Sequence, residues 1–592
     1  MILHELTSYY DSLVKQEKVG ATGWSKAKVS YGLEIDNSGK LVGIIPLLQK
    51  PNGVKKEVPQ EMFVPEQVKR SSGVSANFLC DNSTYFLGFD DKGKSDLEKK
   101  KNRERANKCF EAAKALHHKV LDDVEDEEAE ALLRFFDQWN PDQISDYGIF
   151  SDYADTLFKG ANLIFSSQSG KYMHENILIK KAWDNYRNKV SASTENGLCL
   201  VSGERKPIAR LHPNIKGIFG AQSSGASLVS YNSSSLESYD KEQGMNAPVS
   251  EEVAFKYGTA LNYLISNKEY NKRISDTTIV YWAENAEVGY QDIWGDSFFG
   301  DGNITQDRLN SIAEDMRLGK AVSYKDVELY GDTKFCVLGI VPNAARLSVS
   351  FYSEGSFGYM LDNIIRFYDE LSISKPKYAE DQTINIWSLL NETANKKSRD
   401  KKVPSPIVSS VFRSILEGIP YPAGLFDNVM LRIKAEHEIT WRKAAIIKAY
   451  LIRRNKNNKE FKEVLTMELN ESSENIPYVL GRTFAVLEMI QRDANPNIKS
   501  TIKDKYFTSA CATPATVFPI LFRLSQHHLR KLPDHGTKGV RGRDKYDRII
   551  GELQSRIHAT YPSRLNLQEQ GVFYLGYYHQ RQSMFTPRKE EE

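Results

Sequence analysis

The spacing of apolar residues changes along the chain, and each change predicts a different element. Ile2, Leu3, Leu6, Tyr10 and Leu13 recur at helical spacing, and Gly20 and Gly23 close the segment. The period then drops to two. Val29, Tyr31, Leu33 and Ile35 alternate with Lys28, Ser30 and Glu34, and Asp36-Asn37-Ser38-Gly39 is turn chemistry before Leu41 to Leu48 returns, which predicts a β-hairpin. Thr84 to Phe89, Asn162 to Ser166, Leu198 to Val201, Thr277 to Ala283, Thr333 to Val341 and Arg346 to Tyr352 read as further strands. Helical patterns over 250–267, 304–318 and 356–371 lie among them. Two charged stretches, Lys92 to Arg105 with seven basic residues and Asp122 to Glu130 with seven acids, read as solvated helices leaving the sheet.

After Pro404 strand patterns nearly vanish. Helical ones follow at about 405–417, 424–437, 440–454, 475–493, 513–531, 540–558 and 566–583, and Thr513-Pro514 is a helix-start signal. The fold class predicted is α+β: a mixed N-terminal body with β-hairpins and a helical insertion, then an all-α C-terminal bundle. The expected divisions are residues 1–400 for the body, 404–466 for a helical connection and 467–592 for the bundle, with polar, Lys-rich Asn391 to Val403 as linker.

Composition narrows the function. The 592 residues are 40% hydrophobic and 26% charged, which supplies real cores and excludes wholesale disorder, collagen-like structure and coiled coil. A formal charge of +2 neither announces nor excludes a nucleic-acid binder, so only local clustering is informative. Five scattered cysteines (Cys80, Cys109, Cys199, Cys336 and Cys511) form no zinc knuckle and suggest a reducing compartment. The N-terminus has no basic leader, and no apolar run nears the ~18 residues of a membrane helix. A soluble, cytoplasmic protein without a membrane partner or cofactor is expected.

Familiar catalytic motifs are absent: no phosphate loop, no Gly-x-Gly-x-x-Gly, no His-Glu-x-x-His, no Gly-x-Ser-x-Gly. The adjacent pairs His117-His118 and His527-His528 diverge by about 100° on a helix and are no metal clamp. Asp81 lacks the second acid and lysine of a nuclease site. Three stretches stand out instead. Arg70 to Asn82 sets short polar side chains, Arg70, Asn77 and Asn82 between apolar anchors. Such a loop either meets a phosphate or base edge or is an ordinary Asx/Ser turn system. Arg205 to Leu236 holds Arg205, Lys206, Arg210 and Lys216 without one acid and contains Gly220-Ala221-Gln222-Ser223-Ser224-Gly225. It is suited to a polyanion or is a mobile Ser-rich surface. Arg530 to Arg548 carries seven basic residues against three acids, with Gly536, Gly539 and Gly542 interleaved, and reads as a backbone-binding or a solvated loop.

Longer ordered motifs run through the same stretches. They include Gly23-Trp24-Ser25, Arg70-Ser71-Ser72-Gly73 with Asn77 to Asn82, Pro207 to Pro213, and Gly220 to Ser230. Gln243 to Ser250, Asp276 to Glu284, Pro342 to Ser348, Ile419-Pro420-Tyr421-Pro422 and Tyr478 to Arg482 continue the series. In this order the chain resembles, over nearly its whole length, the large subunit of the type I-C CRISPR Cascade.

The resemblance implies a non-catalytic subunit of an RNA-guided surveillance complex. It would read the protospacer-adjacent motif (PAM), usually TTC-like, on double-stranded DNA, help open the duplex, stabilise the R-loop and support recruitment of a helicase-nuclease. The implied partners are target DNA, the guide crRNA ribonucleoprotein, backbone subunits, the crRNA-processing subunit, a small subunit and the helicase-nuclease. Family role and residue chemistry together make Lys28, Arg70, Ser71, Ser72, Asn77 and Asn82 candidate groove readers. Arg210, Lys216, Gln222, Ser223 and Ser224 are a candidate wedge or phosphate cradle. Arg530, Lys531, Lys538, Arg541, Arg543, Lys545 and Arg548 are candidates for the displaced-strand backbone. Small subunits of this subtype resemble the C-terminal part of the large one, which makes Met467 a candidate internal start. The rival readings are a metal-dependent nuclease and a scaffold that never touches DNA.

Overall fold

The computed structural model describes the chain except residues 1, 51–56, 69–72, 91–94, 193–194, 301–303, 398, 400–402, 537–540, 559 and 586–592. Side chains of 96, 145–146, 191–192 and 405 are likewise not described. Helix accounts for about 50% and strand for 16%, distributed over several small sheets and a helical C-terminal region, so the fold class is α+β as expected. Two compact units form: residues 1–214 with 229–263, and residues 215–228 with 264–592. The units therefore do not divide near residue 400. The physical reason is a shared core: buried side chains from Ile274 through Val411 and Ile447 to Tyr578 form one apolar cluster.

In the first unit the predicted hairpin is present. Tyr31–Ile35 pairs antiparallel with Leu41–Pro46 and parallel with Asn162–Ser167, which pairs with Cys80–Asn82. Trp24–Val29 pairs instead with Val58–Pro65, Lys28 opposite Glu61. The strand expected over Thr84 to Phe89 is a short helix, Ser83–Phe86. Asn82 Oδ1 accepts the Thr84 N–H at 3.1 Å and turns the chain into that helix, while Phe86 buries its ring against His117, Phe136 and Phe165. Of the charged stretches, Lys99 to Arg105 lies in helix Asp96–Leu121 and Glu127, Glu128 and Glu130 open helix Glu127–Gln138, which Asp126 caps, while Lys92 and Lys94 lie outside the described residues. The strand expected at Leu198 to Val201 ends at Leu198, because Gly203 N–H bonds back to the Cys199 carbonyl in a tight turn.

In the second unit Thr277–Ala283 lies between Asn271–Ile274 and Lys334–Asn343, which pairs with Arg346–Ser356. Every residue of Thr277–Ala283 is buried, matching the continuous apolar run from Ile279 to Ala283. Helices Phe357–Leu371, Ser405–Leu416, Ala423–Glu436 and Trp441–Arg454 follow near their predicted positions. The segment predicted as one helix over 513–531 is preceded by a separate helix, Ile502–Ala512, and itself runs Pro514–Leu529; the two stay distinct because Pro514 cannot donate to a continuing helix. Ile476–Ala494 and Leu567–Phe585 form the centre of the C-terminal bundle.

Two of the ordered motifs hold this unit together. Arg453 donates to Glu370 at 2.7 Å and to the Ser414 and Ile419 carbonyls, while Tyr421 O–H donates to the same carboxylate at 3.0 Å. Tyr478 O–H and His579 Nδ1 lie 2.8 Å apart, and Arg482 donates to Gln580 at 3.0 Å. A charge buried and hydrogen-bonded in this way is costly to break from one side.

Candidate nucleic-acid interface

The loop following Val58–Pro65 is closed at its base by Asn77. Its Oδ1 accepts the Val68 N–H at 2.7 Å, its Nδ2 donates to Gln67 Oε1 at 2.8 Å, and its own N–H donates to Asp81 Oδ2 at 2.9 Å. Asn77 is 5% exposed. In place of the base edge expected for it, both amide atoms have partners inside the loop. Asn82 is likewise engaged, as the cap of Ser83–Phe86. Arg70, Ser71 and Ser72 lie outside the described residues. Lys28 is exposed on Trp24–Val29, two positions from exposed Lys26, so both ammonium groups share one strand face.

The loop is anchored from behind. Leu79, at φ +55°, donates its N–H to His117 Nε2 at 3.1 Å, and His117 Nδ1 donates to the Ala113 carbonyl at 2.7 Å. Burial holds the imidazole down to about 4, so it stays neutral and keeps its acceptor. Phe78 stacks on Trp183 with centroids 5.0 Å apart. Asp81, entertained as a nuclease carboxylate, is 1% exposed and accepts from the backbone of Asn77 and Asn82. Among the described residues no three His, Cys, Asp or Glu side chains converge as metal ligands.

Also in the first unit, the Pro207 to Pro213 motif is stitched to Gln243 to Ser250. Ala209 N–H donates to the Val249 carbonyl at 2.9 Å and Gly244 N–H to the Arg210 carbonyl at 3.1 Å. The Arg210 side chain is exposed but donates to Gln243 Oε1 at 2.7 Å and pairs with Glu242 at 3.6 Å. Its charge is thus partly answered by protein. His212, buried and held down to about 4 by desolvation, lies 2.7 Å from the Tyr257 hydroxyl.

The second unit carries Lys216 and the Gln222-Ser223-Ser224 turn, all four exposed. The Gly225 N–H bonds to the Gln222 carbonyl at 2.9 Å, with Gly225 at φ +95°, a turn glycine supplies at little cost. Ala226–Ser227 then pairs parallel with Arg346–Ser356, fixing the turn to the sheet edge. Sequence reading missed the neighbours that give this turn its character. Phe219 is 56% exposed, and the Arg273 guanidinium covers its ring at 3.1 Å. The aromatic Phe219 inside the acid-free stretch was the available signal.

The third cluster divides. Arg530, Lys531, Arg543, Lys545 and Arg548 are exposed. Lys531 reaches Asn495 at 3.2 Å, Arg543 pairs with Asp534 at 2.5 Å and Arg548 with Glu552 at 3.9 Å. Arg541 is a tether: it pairs with Asp493 at 3.4 Å and donates to the Met584 carbonyl, tying the loop to the end of Leu567–Phe585. Lys538 lies outside the described residues. Met467 is 51% exposed between helices, its carbonyl accepting the Ser374 N–H at 2.9 Å.

Among the described residues no helix is long and apolar enough to cross a membrane. No curated protein matches the chain at a significant level. A family model described as CRISPR-associated protein (Cas_Csd1) matches residues 6–585. With its motifs spread over both units and the match spanning nearly the whole chain, the protein belongs to the Csd1 family of CRISPR-associated proteins, the large subunits of type I-C Cascade.

Proposed function

We propose that this subunit, without catalysing a reaction itself, reads the PAM on double-stranded DNA, helps open the duplex, stabilises the R-loop and supports recruitment of the helicase-nuclease. Base pairing by the guide then reads the remaining sequence. The partners in this reading are the crRNA ribonucleoprotein with its backbone and processing subunits, a small subunit and target DNA.

The observation that carries the reading is the exposed turn of the second unit. Gln222, Ser223 and Ser224 offer amide and hydroxyl groups without an acid nearby in the sequence, and Phe219, backed by the Arg273 cation, offers an exposed ring. Amides and hydroxyls contact phosphates and base edges, and an apolar wedge unstacks a base step. In the first unit, Lys28 and the Arg70 to Ser72 segment beyond the Asn77 closure supply the PAM contacts.

Assembled complex carrying Phe219→Ala with Gln222→Ala should bind a PAM duplex but open it at least about tenfold more slowly, followed by 2-aminopurine fluorescence. Unchanged opening would remove the wedge role. The isolated chain should leave duplex DNA intact with Mg²⁺; cleavage abolished by substituting one of its carboxylates would replace this reading with the nuclease one.

A further inference from the structure

The second unit contains a groove of about 500 Å³ that none of the sequence motifs marked. Its walls come from the Lys375–Tyr378 segment, the start of Trp441–Arg454 and the last turns of Leu567–Phe585. Two aromatic rings stand open there: Tyr378 is 79% exposed and Phe585 59%. Trp441 lies buried in the lining at 3% exposure. Large apolar rings left in solvent side by side with cations are unusual for a monomer surface with no ligand to cover them.

The cations are placed on the rings. Lys375 Nζ lies 5.5 Å from the Trp441 centroid, the Arg442 guanidinium 4.8 Å from the same ring, and Arg581 5.7 Å from that of Phe585. Lys377 is exposed beside Tyr378 and lines the same groove. Two acids, Glu380 and Glu438, also line the groove. The walls are pinned: Lys375 Nζ donates to the Gln382 carbonyl at 2.7 Å, Gln582 to the Lys375 carbonyl at 2.9 Å, and Tyr578 O–H to the Ser374 carbonyl at 2.6 Å.

We propose that this groove binds single-stranded DNA, stacking bases on Tyr378 and Phe585 while Lys377 and Arg581 meet the backbone. Aromatic platforms interleaved with cations are how proteins hold an unpaired strand without reading its sequence. The cations Lys377 and Arg581 beside the open rings suit a polyanion, and the rings suit unstacked bases over a duplex, whose bases are already stacked. The inference rests on the reading that the subunit handles an opened duplex, and it supplies that reading with a place for the released strand.

The test is fluorescence anisotropy of fluorescein-labelled dT20 with the full chain, alongside PAM-duplex binding by the assembled complex. Tyr378→Ala with Phe585→Ala should weaken dT20 binding at least about tenfold. Tyr378→Trp should retain binding, whereas Tyr378→Leu, which keeps bulk without a ring, should not. Lys377→Ala should lower the slope of log affinity against log salt by about 0.7. Wild-type affinity in the double variant, with an unchanged thermal midpoint, would overturn the proposal and assign the groove to a protein occupant. Preference for rU20 over dT20 would overturn it in favour of RNA. If the chain ignores dT20 while the complex still selects PAM duplex, the groove proposal fails alone. If dT20 binding depends on the rings while the complex shows no PAM preference, the parent reading fails alone.

Discussion

Gly481 and Gly576 bring two helices of the C-terminal bundle together backbone against backbone. A Cβ on Gly481 would lie 2.0 Å from the Phe573 carbonyl oxygen, and one on Gly576 would lie 2.1 Å from that of Tyr478. The relationship is reciprocal, and neither carbonyl can move without breaking its own helix. Ala at either position therefore forces Ile476–Ala494 and Leu567–Phe585 apart, at a cost of about 1–3 kcal/mol. Each variant should melt several degrees below wild type by differential scanning fluorimetry; an unchanged midpoint would show that the bundle can slide.

Both helices lie within 467–592, and so does the buried network in which Glu488 accepts from Thr501 at 3.0 Å, Arg492 at 2.9 Å and Tyr577 at 2.5 Å. A product begun at Met467 would thus keep its central packing. It would no longer have Phe426 and Ile447 packed against Gly571, leaving one apolar face to be covered by a partner. Replacing Met467 with Ala should remove a C-terminal product of about 14 kDa, seen by C-terminal immunoblot, while full-length protein persists (taking about 110 Da per residue). Persistence of the band would place the start elsewhere.

Asn77→Ala removes the acceptor for Val68 and the donor for Gln67, at a cost of about 1–3 kcal/mol to the loop base. Because Asn77 shapes the loop proposed to carry the PAM contacts, the preference for PAM over scrambled duplex should narrow together with a fall in the thermal midpoint. A narrowed preference with an unchanged midpoint would mean that the amide turns outward on binding.

His117, His174 and His212 are each held by burial to about 4, below their ordinary value of 6.5. The unfolded chain therefore takes up protons first. Stability from these groups is complete above about pH 6.5 and is lost as pH falls toward 4, by up to about 3 kcal/mol for each histidine. Thermal midpoints should fall steeply across that window. His117→Phe keeps the ring among Phe78 and Phe136 and should flatten the decline while lowering stability at pH 7, since Leu79 N–H loses its acceptor. An equally steep decline would shift the cause to the other two.

In the basic loop, Arg530, Lys531 and Lys545 are the exposed charges to remove together. Their alanine variant should flatten the salt dependence of long-target binding by about 0.7–0.9 for each phosphate that is no longer neutralised, with PAM preference unchanged. Arg541→Ala should instead destabilise the bundle by leaving partly buried Asp493 uncompensated. An unaltered slope in the triple variant would return the loop to solvent.

Local pattern alone settled much of this protein. The Thr277–Ala283 run, apolar from Ile279 on, reads as a buried strand, and the amphipathic spacing of residues 405–416 and 441–454 reads as core-facing helices, because burial of one face is a property of the segment itself. Val288–Phe299 escaped notice for the converse reason: nine of its twelve residues are buried, so its polar stripe shrinks to Asp292 and Asp296 and the apolar period is weak. Thr84 to Phe89 has strand-like composition, and a cap from Asn82 with packing on His117 overrode it. Functional roles depended still more on tertiary structure. Asn77 and Arg541 carry the chemistry of DNA contacts, yet partners nine or ten residues from Asn77 and 43–48 from Arg541 occupy their polar atoms. The Tyr378, Trp441 and Phe585 groove joins segments that are distant in sequence, and whether an aromatic ring is core or open platform is decided by what folds over it. Sequence specifies which groups are available, and the packing of remote segments decides which of them remain free to meet a ligand.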